Sequence, residues 1–321
     1  MMHIYFVSLG CDKNLVDSEK MLALLTKEGY ELTDEPEQAE IIVVNTCAFI
    51  HDAKQESIET LLELAEYKKT GKCKVLIASG CLAERYQDTI LEEMPEIDGV
   101  IGTTANDDIA VVVKKALGGE HAALTKELDY LPVHLTDRVT SGMSHVGYLK
   151  ISEGCNKNCT YCIIPSMRGH YRSVPMEDLI EEAEKLAEKG IRELILVAQE
   201  TTLYGVDLYH EKKLPELLRR LSEILDIEWI RVLYCYPEEI TVELAQELRE
   251  NPKVCHYLDL PIQHCNDEVL KRMGRRTTKA ELIEKIKMLR KEIPDIALRT
   301  TLISGFPGET NEQHEECIEF V

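Results

Sequence analysis

Short apolar runs alternate with amphipathic stretches of helical period along almost all of the 321-residue chain. Such alternation marks parallel strands joined by crossover helices, and it confines the chain to the α/β class. Residues 3–8, 41–45 and 75–79 read as buried strands, and 98–101 adds a fourth. Residues 15–28, 53–69, 84–94 and 107–117 carry apolar side chains at the spacing of one helix face. Residues 1–117 are therefore expected to form a small doubly wound parallel-sheet domain. Residues 118–144 break the pattern with Gly118, Gly119, Pro132 and Gly142, and read as a linker. A second series follows, with strands at 146–151, 193–198, 229–233, 256–259 and 297–303. Its helices fall at 177–188, 215–225, 242–250, 268–273 and 279–292. That many βα units suit a full or partial TIM-like (βα) barrel over 145–321. The sequence stops early in a further helix at 311–321, so a truncated barrel is expected.

Hydrophobic residues make up 44% of the chain, enough for real cores. No apolar run approaches the ~18 residues of a bilayer span, and no signal-peptide core opens the chain, so a cytoplasmic location and no membrane partner are expected. With 37 basic against 58 acidic residues the net charge is −21. This balance disfavours bare nucleic acid as the main partner and attracts a basic macromolecule. Eleven cysteines in a reducing compartment point to metal or catalytic chemistry rather than disulfides.

Cys155, Cys159 and Cys162 follow the 146–151 strand in the spacing C-x3-C-x2-C. A curled loop can bring three such thiolates to one centre, and Asn156 and Asn158 tolerate tight turns. Iron–sulfur clusters are normally held by four thiolates, so three alone leave one iron open to a small molecule. Two plainer readings stay open: a zinc loop completed by His170, or three separate core cysteines. A second trio shares one topological address. Cys11, Cys47 and Cys81 come just after the first three strands, 36 and 34 residues apart. Loops at the carboxyl ends of neighbouring parallel strands gather in one crevice, which makes a second metal site; the alternative is three small buried residues in turns. Cys73 precedes its strand and is left out.

Residues 155–162 resemble the radical S-adenosylmethionine signature, including Tyr161 before the last cysteine. The resemblance implies a 4Fe–4S cluster on Cys155, Cys159 and Cys162 whose open iron chelates S-adenosyl-L-methionine. One electron from a low-potential donor then cleaves the sulfonium to a 5′-deoxyadenosyl radical. With Cys11, Cys47 and Cys81 added, the whole chain is similar to the radical methylthiotransferases, which insert sulfur and a methyl group into a C–H bond. In that family the second trio holds a second 4Fe–4S cluster, and a sulfur donor is required. Residues 8–19, 199–205 and 299–310 resemble the branch acting on ribosomal protein S twelve, free or in the small subunit. The tRNA branch typically has Gln-Met-Asn near the first cysteine, where this chain reads Cys11-Asp12-Lys13-Asn14. The S twelve branch replaces a β-carbon hydrogen of an aspartate with a methylthio group. The family also adds a C-terminal β-barrel module (TRAM), which this sequence does not contain.

By the same resemblance Gln199 and Glu200 would help hold the methionine part of S-adenosylmethionine; a solvated loop acid is the plain alternative for Glu200. Arg299 pairs either with a carboxylate of cofactor or substrate or in a structural ion pair. Tyr161 packs over the cluster or in an ordinary core. Arg168 or Arg172 is placed to meet the substrate aspartate. Lys271, Arg272, Arg275, Arg276 and Lys279 form either an RNA-facing run or a solvated helix end. Cys235, Cys255, Cys265 and Cys317 read as buried hydrophobes, and His264 as a pocket residue or a structural histidine. Two clusters acting together require the crevices of both sheets to open toward one another. The rival functions are the same chemistry on a tRNA adenosine and a zinc-stabilised, non-enzymatic binding module.

Overall fold

The computed structural model describes residues 2–131 and 137–321; Pro132 lies outside the described residues. The chain divides into two compact units, Met1–Ser141 with Ser166–His170, and Gly142–Pro165 with Tyr171–Val321.

The first unit is built on strands β1 (His3–Ser8), β2 (Glu31–Leu32), β3 (Ile41–Thr46), β4 (Val75–Gly80), β5 (Gly99–Ile101) and β6 (Ala122–Leu124). They form one parallel sheet in the order β2-β1-β3-β4-β5-β6. Helices α1 (Asp12–Lys27), α2 (His51–Ala65), α3 (Tyr67–Thr70), α4 (Cys81–Glu93) and α5 (Ile109–Leu117) connect them. Every residue of β3 and β4 is buried, as expected of strands covered on both faces. Ile4, Met21, Leu25, Val43, Ile77 and Val112 belong to the core. Strand order reverses about β1, so the crevice rule for open sheets points to the loops after β1 and β3. Two strands escape the sequence pattern. β2 is two exposed residues, and β6 continues the sheet into the stretch that reads as a linker. Both are too short to display an alternating face.

The second unit holds β7 (Val146–Lys150), β8 (Ser152–Glu153), β9 (Arg172–Ser173), β10 (Glu193–Val197), β11 (Trp229–Val232), β12 (Val254–Asp259) and β13 (Ala297–Arg299). Five of these form a parallel sheet in the sequential order β7-β10-β11-β12-β13, the order of an open (βα) barrel. Its helices are α6 (Ile164–Arg168), whose last residues belong to the first unit, then α7 (Met176–Glu188), α8 (Val206–Tyr209), α9 (Leu214–Ser222), α10 (Val242–Glu250), α11 (Asp267–Arg272), α12 (Lys279–Glu292) and α13 (Asn311–Phe320). Thr278 and Thr310 close capping boxes that start α12 and α13. β8 and β9 pair antiparallel and clamp both ends of the segment carrying Cys155 to Cys162. Regular pairing ends earlier than the apolar pattern does. β10 stops at Val197, and β13 stops at Arg299 with one isolated bridge from Leu302 to Gln263.

Candidate functional site

In the first unit strand register sets the height of each cysteine. Ser8 stands opposite Asn45, Asn45 opposite Ser79, and Thr46 opposite Gly80. Cys11 caps α1, Cys47 leaves β3, and Cys81 opens α4, so all three sit at the carboxyl edge of adjacent strands. Two glycines make the approach possible. Gly10 has φ +90°, and a Cβ there would stand 2.8 Å from Cys47 Cβ and 3.0 Å from its Sγ. Gly80 has φ +88°, and a Cβ would meet Asn45 Oδ1 at 2.2 Å. Both positions admit only glycine without rearrangement. The Ser57 hydroxyl accepts from the Cys47 N–H and donates to the Cys47 carbonyl, each at 3.0 Å.

Asn14, fully buried on α1, ties the three loops together. Its Nδ2 donates to the carbonyls of Leu9 and Thr46, each at 3.0 Å, and its Oδ1 lies 3.9 Å from Cys81 Sγ. Burial pushes the Cys47 and Cys81 thiols up, with Arg168 opposing the rise at Cys81. Arg168 is the unforeseen member of this site. It is buried, donating to Asp17 Oδ2 at 2.8 Å, to Asn14 Oδ1 at 2.5 Å and toward Cys81 Sγ at 3.5 Å. The reading of Arg168 as a residue waiting for substrate gives way to this engaged guanidinium.

In the second unit the cysteine loop folds on itself and on the end of α11. The Cys162 N–H donates to the Cys159 carbonyl at 3.0 Å, and the Thr160 N–H to the Met273 carbonyl at 3.0 Å. Cys155 and Cys159 are buried and Cys162 is half-buried. Burial pushes the Cys155 thiol up to about 11 and also raises Cys162. The Tyr236 hydroxyl lies 3.6 Å from Cys159 Sγ. Arg275 stacks on the Tyr236 ring at 4.2 Å, and Lys157 lies over the same ring at 4.6 Å. Arg275 is therefore buried beside the cysteines, not part of a surface basic run. Tyr161 meets Phe306 edge to face at 6.5 Å.

Gln199 and Glu200 lie just beyond β10 rather than on it. Gln199 Nε2 donates to Glu153 Oε1 at 2.7 Å. Glu200 is wholly buried, not a solvated acid; Thr202 donates to its Oε1 through both N–H and hydroxyl. Gln199 Oε1 and Glu200 Oε2 have no hydrogen-bond partner among the described residues. Desolvation pushes the Glu200 carboxyl up to about 7. Arg299 is exposed at the end of β13, 3.7 Å from Asp259. Arg172 sits on β9, and His170 pairs with Asp129 at 2.8 Å in the first unit. His264 is a satisfied structural histidine: Nδ1 accepts from the Asn266 N–H at 3.0 Å, and Nε2 faces Glu309 at 3.2 Å.

Among the described residues, the group of three ligating side chains that closes to within 4.8 Å is His264, Cys265 and Cys317, a meeting the sequence spacing did not reveal. Neither cysteine trio closes that far. A tetrahedral zinc holds its thiolates about 3.8 Å apart, from Zn–S bonds of about 2.3 Å. A four-iron cluster seats each thiolate on a separate iron and spreads them further. The wider spacing of both cysteine trios fits a cluster at each better than a single zinc ion.

Residues 149–321 match the Radical SAM superfamily, and residues 3–102 match an uncharacterized protein family, UPF0004. The chain is 62% identical over 320 residues to the ribosomal protein uS12 methylthiotransferase RimO of Lachnoclostridium phytofermentans, covering 100% of this chain and 73% of the relative. It is 54% identical over 317 residues to that of Clostridium perfringens strain 13, covering 98% and 71%. Among solved structures, the radical S-adenosylmethionine methyltransferase TsrM of Kitasatospora setae aligns with TM-score 0.70 at 16% identity, over 99% of this chain and 70% of that one. The cobalamin-dependent S-adenosylmethionine radical enzyme OxsB aligns with TM-score 0.68 at 14% identity, over 100% and 52%. These two likenesses are of fold alone. With a superfamily match over more than half its length and full-chain identity of this order, the chain belongs to the radical SAM superfamily and, within it, to the uS12 methylthiotransferase RimO family.

Proposed function

We propose that this chain replaces a β-carbon hydrogen of an aspartate in ribosomal protein uS12 with a methylthio group, in the cytoplasm, using two 4Fe–4S clusters and S-adenosyl-L-methionine. Cys155, Cys159 and Cys162 would hold one cluster, and Cys11, Cys47 and Cys81 the other. The observation that carries the reading is the Cys11, Cys47 and Cys81 trio: three cysteines far apart in sequence, raised to one strand edge by register and admitted by Gly10 and Gly80. When bound, the clusters supply the one electron that cleaves S-adenosylmethionine and a site from which sulfur is delivered; a low-potential electron donor and a sulfur donor serve them.

The chain's own residues provide the rest. Glu200 Oε2 and Gln199 Oε1 are buried acceptors with unused capacity, suited to the ammonium of a methionyl group. Glu153 orients Gln199 through its amide. Arg299, exposed at the end of β13 beside Asp259, offers a guanidinium to a carboxylate. The acidic surface suits a basic ribosomal protein better than bare tRNA. The test is anaerobic turnover of the iron-loaded protein on recombinant uS12 or small subunits beside hypomodified tRNA, read by mass spectrometry. One methylthio group on a uS12 aspartate is expected. Product confined to tRNA overturns the substrate, and a colourless protein holding zinc overturns the chemistry.

A further inference from the structure

Ser166–His170 belongs to the first unit although it follows Cys162 by only four residues. Arg168 reaches that site from a segment 87 residues beyond Cys81. A buried guanidinium costs several kcal/mol unless its charge and its N–H groups are met. Here Asp17, also buried, takes Nη1 at 2.8 Å, while Nη2 serves Asn14 Oδ1 at 2.5 Å and Cys81 Sγ at 3.5 Å. A planar fork can serve such divergent acceptors at once, which a lysine ammonium on a flexible stem does less well.

The bond to Asn14 reaches further. Because Oδ1 is occupied by the guanidinium, the amide nitrogen is committed to the Leu9 and Thr46 carbonyls. Those carbonyls belong to the chain two residues before Cys11 and one before Cys47. One side chain thus touches Cys81 directly and fixes the loops of Cys11 and Cys47 through a single amide.

We propose that Arg168 is a positioning residue of the Cys11, Cys47 and Cys81 site and that, resting on the two-cluster reading, it holds the cluster there at a higher reduction potential than the thiolates alone would set. The physical reason is the N–H aimed at Cys81 Sγ at 3.5 Å, with Asp17 offsetting part of the guanidinium's charge. Reduction adds an electron to a centre ligated by thiolates, and an N–H donor with a nearby positive charge favours the reduced form.

The experiment uses the full chain with Cys155→Ala, so that iron bound at the first-unit site is read alone, by iron content and by electron paramagnetic resonance during a redox titration. About four irons per chain are expected. Arg168→Lys keeps the charge. Arg168→Met with Asp17→Asn removes both members of the buried ion pair together. Both should keep the iron. At fixed solution potential the reduced-to-oxidised ratio should fall about tenfold in the double variant, equivalent to about 59 mV for one electron, and less in Arg168→Lys. An unchanged ratio in the double variant overturns the role of Arg168, whereas loss of iron from the double variant with iron kept in Arg168→Lys bears out its positioning part. Absence of iron from the Cys155→Ala parent overturns instead the two-cluster reading beneath it.

Discussion

The two cysteine trios reach comparable settings by opposite routes. Cys155, Cys159 and Cys162 come from one short loop, so local turns suffice to gather them, and outside residues only buttress the loop. Cys11, Cys47 and Cys81 come from three strands and owe their meeting to sheet register, two glycines and a buried polar network. A local site depends on a few neighbouring residues. A register-built site depends on the whole sheet, and damage to it should spread into folding.

The sharpest break in this comparison is removal of one ligand from each trio. Cys155→Ala should abolish 5′-deoxyadenosine formation and take about four irons with it, while Cys47→Ala should remove as many and leave cleavage standing. Methylthiolation should vanish in both. Iron analysis beside product chromatography checks this, and surviving methylthiolation in Cys47→Ala would dismiss the register-built site.

A smaller effect follows from Gly80→Ala. A Cβ 2.2 Å from Asn45 Oδ1 and 2.6 Å from the Thr46 carbonyl, at φ +88°, forces backbone to move. The expected loss is about 4 kcal/mol of stability in denaturant unfolding, from left-handed strain plus overpacking, with iron lost from the first unit alone.

Glu200 gives the mildest contrast, confined to the second unit. Its carboxyl, pushed up to about 7 by burial from an ordinary 4.5, stabilises the fold below that ordinary value. The contribution is lost as pH rises through about 7, because a buried carboxylate must then form. Without S-adenosylmethionine, thermal unfolding of the parent should weaken over that window by on the order of 3 kcal/mol relative to Glu200→Gln, whose profile should be flatter.

Strand–helix alternation made the parallel α/β class of both units readable, because buried parallel strands such as β3 and β4 are continuous apolar runs. The placement of Cys11, Cys47 and Cys81 at the ends of successive strands was readable too, as was that of Cys155, Cys159 and Cys162 in one loop. The partners around them were not. Asn14 and Asp17 lie on the first turns of α1, where polar residues ordinarily signal a solvated helix start; here both are buried. Their partner Arg168 lies 154 and 151 residues away, a separation no local pattern encodes. Tyr236 and Arg275 were hidden for the same reason. Glu200 was legible as a strand-end acid, but its complete burial depends on packing that only the assembled sheet provides.

The first unit takes its stretch 166–170 from beyond the point where the second has already begun. A single cut after residue 141 would therefore not liberate a whole domain. The amino-terminal fragment would carry the aspartate of its buried ion pair without the arginine, and dissecting this protein calls for a ligated or co-expressed peptide rather than a simple deletion series.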